Sequence, residues 1–275
     1  MRMANPSGFA LLQKKAPLVG AFFVAAIWHC PALATAFCPL PANPQTVAVR
    51  QVVDGDTVRL SDGRSVRMIG INAPEIGRKG RTSEPYAEAA RRRLQALVKA
   101  SDGQVGLVLG AQGRDKYGRT LAHLYGRNGD NLEARLLSEG LGYRVAVAPN
   151  VSLARCQQRA EQAARDAGAG LWRQSPVLRA DAVRHAGFAV LSGTVQGIER
   201  NRGGVWLTLD DAVVLQVPAR LQRSFPSSFF EHLKGHRVEA RGWVLDRSRR
   251  GGLKSGQRRW VLPLTDPSML QRISG

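Results

Sequence analysis

Two short alternating runs, Val52 to Leu60 and Val66 to Ile71, are joined by the turn signal Asp62-Gly63, and both carry charges where apolar residues belong. A period of two is that of a strand, so the pattern sets Asp54 and Asp56 on the side of Val52, Val58 and Leu60, and Arg67 with Ile69 and Ile71. A charge on an otherwise apolar face costs several kcal/mol, roughly, unless a metal or a partner offsets it, so such departures are expected at functional sites.

The surrounding residues 46–173 read as β-rich, then helical. Val47 to Leu60 and Ser65 to Ile71 are expected as strands, and Val105 to Leu109 and Thr120 to Tyr125 supply more. Pro85 to Lys99 places Ala90, Leu94, Leu97 and Val98 at helical spacing. Asn131 caps a short helix that turns Leu132, Leu136 and Leu137 inward and ends at Gly140. Ser152 opens a third helix running to Gly168, with Leu171 and Trp172 anchoring its end. Several short strands with few helices indicate an α+β fold, mainly β, built on a five-stranded Greek-key barrel of the OB type.

Three motifs follow one another in this region: Asp54-Gly55-Asp56-Thr57, then Val66 to Glu75 (Val-Arg-Met-Ile-Gly-Ile-Asn-Ala-Pro-Glu), then Asp115-Lys116-Tyr117-Gly118-Arg119. A lone Asp-Gly pair more often marks a hairpin turn. The three in order resemble the active site of the staphylococcal nuclease (thermonuclease) family, over about half the chain, from near Val47 to Trp172. The resemblance implies an OB barrel with three helices and a metal ion gripping a phosphate.

By that resemblance Asp56, Asn72 and the backbone carbonyl of Ala73 match calcium ligands, with Asp54 a further acid near the ion; oxygen-only ligands suit a hard cation. Arg67 and Arg119 match two phosphate arginines, whose planar forks pair with phosphate oxygens. Glu75 matches the carboxylate assigned as general base, and Pro74 fixes the turn that aims it. Lys116 and Tyr117 match residues lining the nucleotide pocket. Two departures stand out. Asn72 replaces an aspartate of the best-known member, removing one formal charge from the metal site. After Gly140-Leu141, where that member places tyrosines against the nucleotide, this chain reads Tyr143-Arg144-Val145-Ala146-Val147-Ala148, leaving Tyr143 and the rest of the chain to compensate.

With 40 Lys and Arg against 21 Asp and Glu, the formal charge of +19 points to a polyanionic partner such as DNA or RNA. Arg2, Lys14 and Lys15 precede the apolar run Ala16 to Ile27, which ends in Pro31-Ala32-Leu33-Ala34-Thr35-Ala36. Residues 1–36 thus read as a signal peptide cut after Ala36, implying export to a periplasm or the medium; the alternative is an uncleaved membrane anchor. Cleavage discards Cys30 and leaves Cys38 and Cys156, either bridged or, for Cys156 on the stripe Leu153, Cys156, Ala160, Ala163, a buried thiol.

Gln174-Ser175-Pro176 marks a boundary, with residues 174–185 as a basic linker. Alternation returns in Ala189 to Ile198, Val205 to Leu209, Val213 to Val217, Arg237 to Leu245 and Trp260 to Leu264. These five strands predict a second small barrel over 186–267, OB-like or SH3-like. Its loop from Arg247 to Arg259 gathers cations, including Arg249, Arg250, Arg258 and Arg259, between Trp243 and Trp260. Cations beside aromatics suit a nucleic-acid strand, although such a run is also the ordinary make-up of a solvated hairpin.

The sequence therefore predicts an exported, calcium-dependent, sugar-nonspecific endonuclease; the 3′-phosphate ends follow from the resemblance alone. The competing readings are a basic nucleic-acid-binding protein of the cell envelope with little activity, and a surface protein binding acidic polysaccharide or lipid.

Overall fold

The computed structural model describes residues 37–41, 44–78, 80–249, 251–253 and 255–273. The expected signal peptide, residues 1–36, and Arg250 and Lys254 lie outside the described residues. No helix among the described residues is long and apolar enough to cross a membrane.

The first barrel is built from β1 (Gln45–Val52), β2 (Thr57–Leu60) and β3 (Ser65–Met68), followed after the short β4 (Ile71–Asn72) and helix α1 (Ala87–Lys99) by β5 (Gln104–Arg114) and β6 (Thr120–Tyr125). It closes in the order β1-β2-β3-β6-β5, antiparallel except for the β3–β6 pair. A parallel pair needs a long crossover, and α1 fills it. Ala87, Ala90, Leu94 and Val98 of α1 face a core of Val58, Leu60, Val66, Met68, Leu107 and Leu124. Helix α2 (Leu132–Ser138) begins where expected, the Asn131 side chain accepting a hydrogen bond from the Ala134 N–H at 2.9 Å. After β7 (Tyr143–Arg144), which pairs with β4, comes α3 (Ala154–Asp166). Of the two readings for Cys156, the bridge is the one found: Cys38 and Cys156 form a disulfide with Cα atoms 5.3 Å apart, tying the segment before β1 to α3.

The second barrel follows β8 (Val177–Arg179) and comprises β9 (Gly187–Asn201), β10 (Gly204–Leu209), β11 (Val213–Pro218), β12 (Arg237–Asp246) and β13 (Trp260–Pro263). The order β9-β10-β11-β13-β12 closes through the β12–β9 pairing, and its one parallel pair is β11–β13. This repeats the strand order of the first barrel and decides between the two barrel types foreseen, in favour of OB. In place of α1, its crossover holds short 3-10 turns that bury Phe225, Phe230 and Leu233.

Two expectations need correction. Residues 174–185 are not a free linker: β8 pairs in parallel with β9, and Ala180 and Val183 are buried. Residues beyond 267 also belong to the fold, since β14 (Leu270–Arg272) pairs with β12.

The barrels are joined through buried charge. Arg165 of α3 donates to both carboxylate oxygens of Glu239, and Arg241 bridges Glu161 to Glu239. Arg144, only 1 % exposed, donates to Ser268, while its own N–H meets Glu161 at 2.8 Å. Burial pulls the Arg144 guanidinium down to about 10, with Arg241 nearby adding to the fall. Beside this network the rings of Trp172, Tyr143, Phe188 and Trp243 run in succession with centroids 5.1 to 5.9 Å apart.

Candidate active site

The Asp54-Gly55-Asp56 segment is the turn between β1 and β2, closed by the Val53 N–H donating to the Thr57 carbonyl at 2.9 Å. The two aspartates therefore do not share a strand face with Val52, as the alternation had implied. Gly55 is there for close approach: a Cβ on it would lie 2.6 Å from those of Ala73 and Ala90. That contact seats the turn against α1 and aims both acids at one cleft. Asp56 is buried, its carboxylate accepting from the Ala73 N–H at 2.7 Å and the Thr57 hydroxyl at 3.0 Å.

Arg67 also departs from the expected face. In β3 it is Val66 and Met68 that point into the core, and Arg67 projects from the other side. Its guanidinium donates to the carbonyls of Met68 and Ile71 at 2.7 and 2.9 Å and to Asn72 Oδ1 at 3.2 Å, and it lies 3.0 Å from the Asp56 carboxylate. Burial pushes the Asp56 carboxyl up to about 6; Arg67 opposes the rise and Asp54 adds to it.

Glu75 stands at the rim. Its N–H donates to the Glu84 carboxylate and its carbonyl accepts from the Glu84 N–H, both at 2.9 Å, which folds the following loop back over the cleft. Partial burial raises its carboxyl above the ordinary range, and Asp54 adds to the shift while Arg67 opposes it. The third motif forms the β5–β6 turn, where the Asp115 carboxylate accepts from the N–H groups of Tyr117 and Arg119 at 2.9 Å and from Arg119 Nε at 2.7 Å. Tyr117, 73 % exposed, lies under Lys116 and Arg119, 5.0 and 5.6 Å from its ring centre.

These residues line two cavities that share a wall. One, of about 620 Å³, holds Asp54, Asp56, Glu75 and Glu84, with Arg59, Arg78 and Arg81 on its margin. The other, of about 500 Å³, is a largely apolar groove bounded by Lys116, Tyr117, Val147 and Trp243 of the second barrel. Arg67 and Arg119 face both. A phosphate held by the two arginines would thus have acids on one side and an aromatic-lined groove on the other.

Among the described residues no group of three or more His, Cys, Asp and Glu side chains converges on one point as a metal site. The donors expected for a cation are Asp56, Asn72 Oδ1 and the Ala73 carbonyl, with Asp54 close by. They are all oxygens, the donor chemistry that a hard cation takes, and such an ion would share Asp56 and Asn72 Oδ1 with the Arg67 guanidinium that contacts both.

Other expected site residues lie elsewhere. Tyr143 borders neither cavity. Its ring sits between Trp172 and Phe188, and burial, with Glu84 and Glu161 nearby, pushes its hydroxyl up to about 12. Arg249 and Arg259 pair with Asp246, Arg258 pairs with Asp211, and none of the three reaches the cleft or the groove. Arg250 falls outside the described residues. Trp260 is buried, whereas Trp243 is 38 % exposed. Sequence reasoning missed Glu84, Arg78 and Arg81; the run Arg78-Lys79-Gly80-Arg81 was a visible cationic signal, but nothing in the pattern marked Glu84.

Residues 65–174 match the family described as Staphylococcal nuclease homologue. A thermonuclease of Staphylococcus hyicus is 34 % identical over 129 residues, which cover 46 % of this chain and 73 % of that protein. Two Bacillus subtilis proteins are similar over 134 residues: the SPbeta prophage-derived endonuclease YokF at 34 % identity and endonuclease YncB at 33 %, with 44 % and 62 % of their lengths covered. The similar stretches account for less than half of this chain.

Proposed function

Since the chain belongs to the staphylococcal nuclease homologues, we propose that its first barrel hydrolyses phosphodiester bonds of DNA and RNA, as an exported, calcium-dependent, sugar-nonspecific endonuclease. The observation that carries this reading is the wall shared by the two cavities, where Arg67 and Arg119 stand between a carboxylate cleft and an aromatic groove. Hydrolysis needs an activated water, neutralisation of charge growing on the phosphoryl oxygens, and alignment of attack with departure.

Glu75 accepts the proton of the water that attacks phosphorus, and partial burial raises its affinity for that proton. Arg67 is pinned by backbone carbonyls and holds its charge in place with little freedom. Arg119 is oriented by Asp115 through Nε, which leaves its two Nη groups for phosphate. Asp56, Asn72 and the Ala73 carbonyl would hold a calcium ion, which when bound would supply further positive charge near the phosphoryl oxygens. The bond to the 5′ oxygen breaks, that oxygen leaves with a proton from solvent, and the phosphate stays on the 3′ side. In the groove Tyr117 and Trp243 take the base, Trp243 standing in for the tyrosines this chain lacks. Export is supported by the leader and by the Cys38–Cys156 bridge, which persists in an oxidising compartment.

A second reading, a nucleic-acid binder without turnover, is favoured by Asn72 and by Val145 to Ala148 in place of aromatic residues. Incubating the purified protein with plasmid DNA and with RNA, with calcium or with chelator, separates the two. Calcium-dependent nicking that Glu75→Gln loses supports the nuclease; retention of polymer without cleavage supports the binder.

A further inference from the structure

The two barrels share one strand order, so positions on them correspond. In the first barrel the candidate site occupies the loop between strands one and two (Asp54 to Asp56), the outer side of strand three (Arg67) and the loop between strands four and five (Asp115 to Arg119). The nearest counterpart in the second barrel is the region formed by the outer faces of β9 and β10, the start of β11, and Arg247 and residues 256–258 of the β12–β13 loop. It too is concave, with a volume of about 650 Å³.

Trp206 lies at its centre. Cross-strand pairing sets Trp206 between Glu199 of β9 and Gln216 of β11 on the outward side of the sheet. Its indole N–H donates to Asn201 Oδ1 at 2.9 Å, which fixes the ring. One row along, Gly197 opposite Thr208 has open space where a side chain would stand, leaving a flat step beside the indole. Residues 256–258 of the β12–β13 loop stand at the edge, and the base of the loop is closed by the Arg247 N–H donating to the Arg259 carbonyl at 3.0 Å. From it the Arg247 guanidinium lies 4.9 Å from the indole centre. Arg249, Arg258 and Arg259 pair with Asp246 and Asp211, whereas among the described residues the Arg247 guanidinium lies against this ring. Burial without a carboxylate lowers its affinity for its proton, which an arriving phosphate would reverse.

We propose that this concavity is a second nucleic-acid site, taking a segment of single-stranded DNA or RNA with one base against Trp206 and the adjoining phosphate on Arg247. An aromatic face beside a guanidinium holds any unpaired base through its π-face, and Gln196 and Glu199 in the same lining offer hydrogen bonds to base edges. Arg258 and Asp211 are paired across the rim with both side chains exposed, so a phosphate can take that arginine at small cost. The choice of polymer rests on the nuclease reading of the first barrel.

The test measures binding of a fluorescent oligonucleotide of about 16 nucleotides to the full chain in chelator, where cleavage is off, for the parent, Trp206→Ala, Trp206→Phe and Arg247→Ala. Trp206→Ala and Arg247→Ala are each expected to weaken single-strand binding by about tenfold or more, and Trp206→Phe to retain most of it. With calcium restored, turnover of a dinucleotide should match the parent in all three. If Trp206→Ala fails to fold, Arg247→Ala and ultraviolet cross-linking of the strand to the peptide holding Trp206 decide the matter. A parent that cleaves nucleic acid, with both alanine variants binding the strand within about twofold of it, overturns the second site and leaves the nuclease intact. A parent that neither binds nor cleaves nucleic acid but retains heparin overturns both.

Discussion

Arg165 of α3 and Glu239 of β12 meet across the boundary between the barrels through two hydrogen bonds of 2.9 and 2.8 Å, with Arg165 also 3.9 Å from the centre of the Trp172 ring. Burial acts against the Glu239 carboxylate, yet Arg165 and Arg241 outweigh it and hold the group below its usual range. Replacing one partner strands a charge. Glu239→Ala is therefore expected to cost about 3–5 kcal/mol in denaturant unfolding, and deleting residues 186–275 to leave an unstable first barrel. A truncated protein as stable as the full chain would show that the interface contributes nothing.

Glu75→Gln removes a proton acceptor with little change of shape. It should lower kcat by about 10² to 10⁴ while leaving the affinity for substrate in chelator nearly unchanged. Wild-type turnover in this variant would remove Glu75 from the mechanism.

Asp56 gives a pH signature. Its carboxyl is raised in the fold to about 6 from an ordinary value of 3.8, so the folded state holds the proton more tightly than the unfolded chain. Its burial therefore costs stability as pH rises through that window, the full cost being present above 6. Without metal the melting temperature should climb on acidification from pH 7 to about 5, and Asp56→Asn should flatten that slope. Added calcium should raise the melting temperature more at pH 7 than at pH 5, because the ion competes with the proton. Calcium stabilisation independent of pH would place the ion elsewhere.

The Cys38–Cys156 bridge closes a loop across 118 residues of sequence. Protein unfolded without reductant should show neither of these thiols to a thiol reagent, and reduction should cost about 2–5 kcal/mol of stability. Two titratable thiols in exported protein would contradict the bridge.

Trp243 is offered to the groove by the second barrel, 5.4 Å from Phe188 in the aromatic succession. Trp243→Ala should raise KM for short oligonucleotides about tenfold with kcat little changed, the loss expected for one stacked base. An unchanged KM would leave Tyr117 alone to meet the base.

Much of the first barrel was legible because alternation and caps are local. The Asn131 cap, the apolar face of α1 and the three motifs needed only neighbouring residues to be read. Parity near the site was not legible. A period of two assigns every residue in a run to one of two faces, but it cannot see that Gly55 packs on Ala73 and Ala90 and so ends the strand, freeing Asp54 and Asp56 from its alternation. Arg67 was misassigned for a related reason, since Ile69 and Ile71 lie past the end of β3.

The sequence by itself placed the five strands of the second barrel and four strand runs of the first, of which Val47 to Leu60 proved to be two strands, and it brought the charged residues of the cleft into three short motifs. Only the tertiary structure decided that Tyr143 packs between the barrels while Trp243 reaches the groove, that Arg249, Arg258 and Arg259 pair with Asp246 and Asp211, and that Arg247 lies over Trp206. Those outcomes depend on which distant residues meet. Arg165 and Glu239 lie 74 positions apart, and no periodicity records such a pairing. Closure and docking bring them together because a buried charge must find its counterpart or remain in water.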